Sequence, residues 1–339
     1  MEKSKQQNAG VRLSIIIPCK NEEEVIGKCL DSIITNRSND SRFEIIVVDN
    51  GSTDHTLEIL YTFREHISLY EFKVGTISEL RNFGASKASG EWLAFIDADV
   101  VVGENWYKSV FQAIEFYMKL GENEKRIITG STYGLYKSPT WIERTWHNYL
   151  IRRQKRSVRY INGGNLIIHS EFFKIIGGFH PLYQTGEDEK LCRDAVQHGG
   201  TIQNERSIQA YHLGYPKTLQ QFAKREFWHG RALIRYVKKP WSDRALMLAI
   251  YNIVCLASFI ILALCSSIHL PLLLIFIVTM LILPLCILAM TSIGRCSFEV
   301  LKLTLLFFVY GAAKSAALIG SIWQEAAKLS VWKRKAGPS

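Results

Sequence analysis

Unbroken apolar runs alternate with amphipathic stretches along the first hundred residues. VRLSIIIPCK (11–20) is apolar up to Pro18, and NEEEVIGKCLDSIIT (21–35) follows with apolar residues at 25, 26, 29, 30, 33 and 34, a helical stripe. FEIIVVDNGS (43–52) predicts a second buried strand, and TDHTLEILYTF (53–63) a second helix with Asp54 among its cap candidates. LYEFKV (69–74) reads as a short strand, SELRNFGASKAS (78–89) as a helix and EWLAFIDADV (91–100) as the next strand. Strands that are apolar throughout are buried on both faces, and a βαβα order makes the sheet mainly parallel with helices on either side. In such α/β sheets ligands bind at the carboxyl ends of the strands, where Pro18, Asp49 and Asp97 fall.

The pattern changes after Arg244. From Ala245 to Gly294 there is no Lys, Arg, Asp or Glu. That length of helix covers roughly 75 Å at about 1.5 Å per residue, two crossings of an apolar layer about 30 Å thick. SSIHLP (266–271) is the break, giving transmembrane helices near 246–266 and 271–291. A third apolar stretch, 303–323, has Lys314 near its middle and many small residues; spanning, re-entry and an interfacial position are all open for it. Basic residues precede the first span and the connection to the second is uncharged, which places the N-terminal part in the cytosol. The expected organisation is a flexible terminus over 1–10, a catalytic domain over 11–240, a membrane region over 241–325 and a basic tail over 326–339.

The 339 residues carry 41 Lys and Arg against 31 Asp and Glu, a net charge of +10. The membrane-flanking bias and the cluster IRRQKRSVRY (151–160) account for most of it. No nucleic-acid recognition motif accompanies the charge, so nucleic acid is not an expected partner. That cluster reads either as a solvated helix face or as a contact for anionic headgroups or an acceptor pyrophosphate. The first ten residues lack an apolar segment, so no signal peptide is expected. The seven cysteines show no paired spacing, as befits reduced structural thiols.

The chemistry is concentrated in acids at strand ends. LAFIDADVVV (93–102) sets Asp97 and Asp99 two positions apart, on one face if the strand continues through them. Burying both calls for a cation. Asp49 enters DNGSTD (49–54), a turn-forming run, and GEDEKLC (186–192) presents Glu187 and Asp188 at a helix start.

With IIIPCKNEEEVI before DNGSTD and LRNFGASKASGEWLAFIDADV after it, the chain resembles the inverting nucleotide-sugar glycosyltransferases of family 2, which have the GT-A fold. The resemblance covers roughly residues 12–235. It implies that Pro18, Asn21 and Glu22 line the nucleotide pocket and that Asp49 reads the base. The Asp-X-Asp element would hold a divalent metal, Mg²⁺ or Mn²⁺, which suits hard oxygen ligands; Asp99 would ligate it, and Asp97, also counted with the metal residues, would mainly face the donor ribose or sugar. Arg81 in LRNFGAS would ease the burial of the acids and phosphates. Asp188 would be the catalytic base, with Glu187 assisting or orienting it. His212 in AYHLGYPK resembles a histidine that completes the metal shell. QQFAKREFW (220–228) departs from the Gln-X-X-Arg-Trp of processive members, which argues against polymerisation; Arg225 and Trp228 remain candidates for acceptor or diphosphate contact.

The resemblance implies a membrane-bound transferase moving a sugar from a nucleotide-sugar donor to a lipid-linked or glycan acceptor. A sugar-nucleotide pyrophosphorylase would need a basic, Gly-rich turn where IIIPCKNEEE is acidic. A catalytically silent nucleotide-binding membrane scaffold is the alternative; retention of Asp49, Asp97, Asp99, Asp188 and His212 favours the enzyme.

Overall fold

The computed structural model describes residues 12–36, 42–121, 125–151, 158–183, 185–237, 240–265 and 297–335. The expected terminus over 1–10, most of the basic cluster at 151–160, the 266–271 break and the 271–291 span lie outside them. The described chain divides into two compact units, one formed by residues up to Lys137 with Leu150–Tyr215, the other by Ser138–Tyr149 with the chain from Pro216 onward.

In the first unit β1 (Leu13–Cys19), β2 (Phe43–Asp49), β3 (Ser68–Glu71) and β4 (Trp92–Ile96) alternate with α1 (Ile26–Thr35), α2 (Thr56–Thr62) and α3 (Ile77–Lys87). Then come β5 (Val100–Val102), α4 (Trp106–Leu120), β6 (Ile127–Gly130), β7 (Gly134–Leu135) and α5 (Trp141–Ile151), most of which belongs to the second unit. Next are β8 (Asn165–His169), α6 (Ser170–Ile175), α7 (Glu187–Gln197), β9 (Thr201–Asn204) and β10 (Ala210–His212). The seven-stranded sheet has the order β3-β2-β1-β4-β8-β6-β9. Its β3-β2-β1-β4 half is parallel, as expected, while β8 runs antiparallel to both neighbours.

Both faces of the sheet are covered. On β1, Leu13, Ile15 and Ile17 join the core on one side with Cys29, Leu30, Trp106 and Val110. Ile16 faces the other way, into Leu93, Phe95, Ile168, Phe172 and Leu191. That two-sided burial is why β1 shows no polar alternation. Pro18 is tolerated in this central strand because pairing with β4 ends at Ile16 opposite Phe95, so no ladder bond from position 18 to β4 is lost. Asn165, buried at the start of β8, accepts a bond from Trp106 Nε1 at 2.9 Å and donates to Ser131 Oγ at 3.0 Å and Ile208 O at 3.0 Å. It ties three segments at the sheet's centre with its polar groups satisfied.

In the second unit α8 (Leu219–Gly230) leads through 3₁₀ segments Arg231–Tyr236 and Pro240–Ser242 into α9 (Arg244–Cys265); α10 (Ser297–Lys335) is the last element. Residues 216–240, expected with the catalytic domain, thus group with the apolar helices. The physical reason is the apolar face of α8: Phe222 packs with Trp146, Leu303 and Phe307. By length and composition α9 and α10 are both able to cross a membrane.

Candidate active site

Two loops form one side of the site. Asn21 adopts a left-handed backbone (φ 55°) that turns the chain out of β1. Its Oδ1 accepts from the Thr53 amide at 2.8 Å, and its own amide donates to Ser52 Oγ at 2.9 Å. The Glu22 amide donates to Thr56 Oγ1 at 2.8 Å, and the His55 amide to Glu23 Oε2 at 2.9 Å. The β1–α1 and β2–α2 loops are therefore braced against each other. Asp49 is fully buried; its oxygens accept from the amides of Gly51 (2.8 Å) and Ser52 (3.0 Å) and from the Ser52 hydroxyl. Its carboxylate holds the turn, so a contact with a nucleotide base would add to these bonds.

The Asp-X-Asp element differs from its expected conformation. The strand ends at Ile96, and Asp97 to Asp99 form a turn before β5, closed by Val100 N donating to Asp97 O at 3.0 Å. The two carboxylates are consequently not one strand face; each has its own set of partners. Asp97 accepts from Arg81 Nη2 at 2.6 Å and from the Tyr133 hydroxyl at 3.4 Å. Asp99 lies 3.4 Å from His212 Nε2. The turn relieves the repulsion that a shared face would impose, since Arg81 covers one acid and His212 meets the other.

Arg81 is the centre of the arrangement. It is buried on α3, and its second nitrogen, Nη1, donates to Glu187 Oε1 at 2.7 Å. Its guanidinium stacks on Phe179, 5.1 Å from the ring centroid. Burial works against its charge, yet Asp97 and Glu187 raise its pKa above the ordinary arginine value. The flat fork fits because Gly163 lies beside it: a Cβ there would stand 2.8 Å from both Nη atoms. Arg81 was expected to serve acids and phosphates alike; here both arms of the fork are taken by carboxylates.

Gly186, in the left-handed region (φ 72°), starts α7 and sets Glu187 and Asp188 in its first turn. Asp188 accepts from the Gly163 amide at 3.2 Å and the Glu189 amide at 2.7 Å. Burial, then the charge of Glu187, pushes its pKa up to about 7, against the opposing pull of Arg81. A carboxyl with that value is poised to accept a proton near neutrality. Glu22 is likewise raised to about 7, by burial and then by Asp99 and Asp97, which puts it within the electrostatic reach of both.

His212 reaches Asp99 because β10 pairs antiparallel with β5, His212 opposite Val100. Its ring lies between Tyr133 and Tyr215, with centroids 5.0 and 4.9 Å away. A carboxylate and an imidazole held side by side form a donor pair that suits Mn²⁺ or Mg²⁺ only when oxygens complete the shell. Among the described residues no three His, Cys, Asp or Glu side chains converge as a complete metal cage. The pair could supply two ligands of such a shell, the remaining positions falling to oxygens from outside this set. Arg225 and Trp228 lie on α8 in the second unit, with Trp228 42% exposed.

Tyr133 and Tyr215 were not among the expected site residues. Neither tyrosine in GSTYGLY has a distinguishing pattern, and the relation of Tyr133 to His212 exists only once β7 and β10 pair.

Residues 14–177 match the model of Glycosyl transferase family 2. Glycosyltransferase GlyA of Streptococcus pneumoniae serotype 4 is 34% identical over 130 residues, 38% of this chain but 18% of GlyA's length. Glycosyltransferase AglE of Haloferax volcanii is 24% identical over 230 residues, 66% of this chain and 73% of AglE. The mannosyltransferase PcManGT of Pyrobaculum calidifontis, solved with GDP-Man and Mn2+, shares the fold with a TM-score of 0.63 at 17% identity, over 92% of this chain and 87% of that one. The sheet order, the acids at its carboxyl edge and these matches agree: the chain carries a glycosyl transferase family 2 domain on a GT-A-like α/β fold.

Proposed function

We propose that the protein is a membrane-bound, metal-dependent inverting glycosyltransferase that moves a sugar from a nucleoside-diphosphate sugar to a hydroxyl or phosphate of a lipid-linked or glycan acceptor. The observation that carries this reading is the Arg81 fork, which joins the donor-side Asp97 to Glu187 beside Asp188. It holds a donor carboxylate and a base of raised pKa in one rigid group. Asp188, unprotonated, takes the proton from an acceptor hydroxyl; the oxygen attacks the anomeric carbon from the face opposite the nucleotide, and configuration inverts. Glu187 keeps Arg81 in place and, by its own charge, holds the Asp188 pKa high. Asp99 and His212 would hold the divalent ion, which supplies positive charge to the leaving diphosphate when bound. The titanic shift in hydropathy at α9 supports a membrane crossing there, and the basic residues ahead of it support a cytosolic catalytic unit. PcManGT, bound to GDP-Man and Mn2+, supports a nucleotide-sugar donor and a metal.

The test is calorimetric binding of UDP, GDP, dTDP and CMP to the purified protein, with and without Mn²⁺, beside Asp99→Ala and Asp188→Asn. One nucleotide should bind, with both Mn²⁺ and Asp99 required. Asp188→Asn should keep that binding and lose transfer. Equal loss of donor binding in Asp188→Asn would remove it as the base, and folded protein that binds no nucleotide would leave the silent scaffold standing.

A further inference from the structure

Lys314 breaks the apolar run of α10, and the structure shows what meets it. Its Nζ lies 3.0 Å from Glu226 Oε2 on α8, with the two side chains only 6% and 8% exposed. Its ammonium also faces the Tyr310 ring at 5.1 Å. One turn on, a Cβ at Gly230 would come within 2.7 Å of Ala317 Cβ, so α8 and α10 approach closely. At the other end of the contact, Phe222 joins Leu303, Phe307 and Trp146 of α5. One side of α10 from Leu303 to Ala317 is therefore covered by protein.

The helix that covers it is not a membrane helix. Lys224, His229 and Arg231 of α8 and its end are exposed, together with Gln220 and Gln221. Such a surface belongs in water or among headgroups, because a charge in hydrocarbon costs at least about 2.5 kcal/mol. The opposite side of α10 is different. Apart from the Glu299–Lys302 ion pair in its first turns, the exposed side chains from Phe298 to Trp323 are apolar: Phe298, Leu301, Leu305, Phe308, Ile319 and Trp323 mark a stripe spaced three and four apart, filled in by alanines and Ile322. The contrast with α9 is plain. Its first turns pack on α10 through Leu246 and Ala249, but beyond Ile253 Val254, Leu256, Ala257, Ser258, Ile260, Ile261 and Leu264 are exposed, while Cys255 and Phe259 are half-buried. A helix that is apolar and mostly exposed is built to cross lipid; one that is apolar on one side and roofed by a charged helix on the other is built to lie along it.

We infer that α10 lies in the plane of the membrane surface, its Phe298–Trp323 stripe in the acyl boundary and α8 on its aqueous side. This rests on the membrane-bound reading above. The occupant of the stripe is an anionic bilayer, since basic residues border it: Lys224, Arg231, Arg235 and Arg244 are exposed on the neighbouring segments. The exposed Trp228, Trp241 and Trp323 are of the type that settles at headgroup depth. Lys314 is neutralised by protein and never enters hydrocarbon.

The test uses the full chain in vesicles of phosphatidylcholine with phosphatidylglycerol, in a background whose native cysteines are replaced. Nitroxide labels are placed at Leu301, Leu305, Phe308, Ala312, Ala316 and Ile319, and at Val254, Ala257 and Ile261 of α9. Depth is read from collision with oxygen against a water-soluble nickel complex. The expected result is a level depth of about 5–10 Å along α10 and a steadily increasing depth along α9. A graded profile on α10, changing by roughly 20 Å between 305 and 319 as a helix rising about 1.5 Å per residue requires, overturns the in-plane inference while leaving membrane binding intact. Low oxygen contact on α10 with a deep α9 means a protein covers the stripe, which also overturns it. Low oxygen contact at every site, α9 included, removes the membrane-bound reading itself.

Discussion

Replacing Arg81 by Gln tests whether the site is one coupled group. The change removes two charge-assisted hydrogen bonds, at 2.6 Å to Asp97 and 2.7 Å to Glu187. Bonds of that kind contribute about 1.5–3 kcal/mol each. The Glu187 side chain is 12% exposed and belongs near the top of the range, whereas Asp97, at 29%, is partly screened by water and belongs at the bottom. The glutamine amide can restore one weaker bond, so the net loss is about 3 kcal/mol. For a unit of this size that lowers the melting midpoint by roughly 6–12 °C. The second effect is on the base. Arg81 pulls the Asp188 pKa down, so removing the charge raises it above its value of about 7. On the proposed reading, in which transfer needs ionised Asp188 and is lost as pH falls through its pKa, the acid limb of kcat/KM should move to higher pH, on the order of one unit or about 1.4 kcal/mol. Arg81→Lys keeps the charge but not the fork, and should lose stability with a smaller displacement of the limb. The assay is sugar transfer across pH in detergent, alongside thermal melting. Arg81→Gln with an unmoved acid limb and a uniform fall in activity would refute the coupling to Asp188.

Tyr133→Phe removes the 3.4 Å hydroxyl contact to Asp97 and keeps the ring, and should leave Mn²⁺-dependent nucleotide binding within about twofold of wild type. Tyr133→Ala also removes the ring against His212 and should weaken that binding by about tenfold or more, the usual effect of losing a group that orients a ligand; equal losses in calorimetry would point to the hydroxyl and away from the ring. Lys314→Met leaves Glu226 buried and unpaired, at a cost of about 3–5 kcal/mol, whereas Lys314→Met with Glu226→Leu should recover most of it. Melting in detergent checks this, and a double variant no more stable than the single one would show that the ion pair is not what its burial indicates.

Much of the parallel half of the sheet was legible because β1, β2 and β4 are buried on both faces and so are written as continuous apolar runs. Helix ends were less so: α1 begins at Ile26 and not Asn21, since Asn21 to Glu23 are engaged by the Ser52–Thr56 stretch across the loop. The Asp-X-Asp turn was invisible for the same kind of reason; ADVVV carries the apolar pattern of a strand through residues whose backbone is bent by partners 16 and more than 100 positions away, Arg81 and His212. The acids themselves could be picked out, but their pairing could not. Glu187 as the second arm of the Arg81 fork depends on α3 and α7 meeting, and no local spacing encodes that. Lys314 looked costly in sequence because its partner, Glu226, lies on a helix whose own signal was read for acceptor contacts.

The bracing of the β1–α1 and β2–α2 loops bears on how the proposed donor pocket could be redesigned. Asn21, Glu22 and Glu23 on one loop are matched to Ser52, Thr53, His55 and Thr56 on the other, each contact pairing a backbone amide of one loop with a side chain of the other. A graft that brings in one loop from an enzyme of different nucleotide preference would hand the resident amides from matched side chains to water, and the mutual bracing would be lost. On the proposed reading of this pocket, a change of nucleotide preference is best carried as a two-loop cassette, with position 21 changed together with positions 52 and 53.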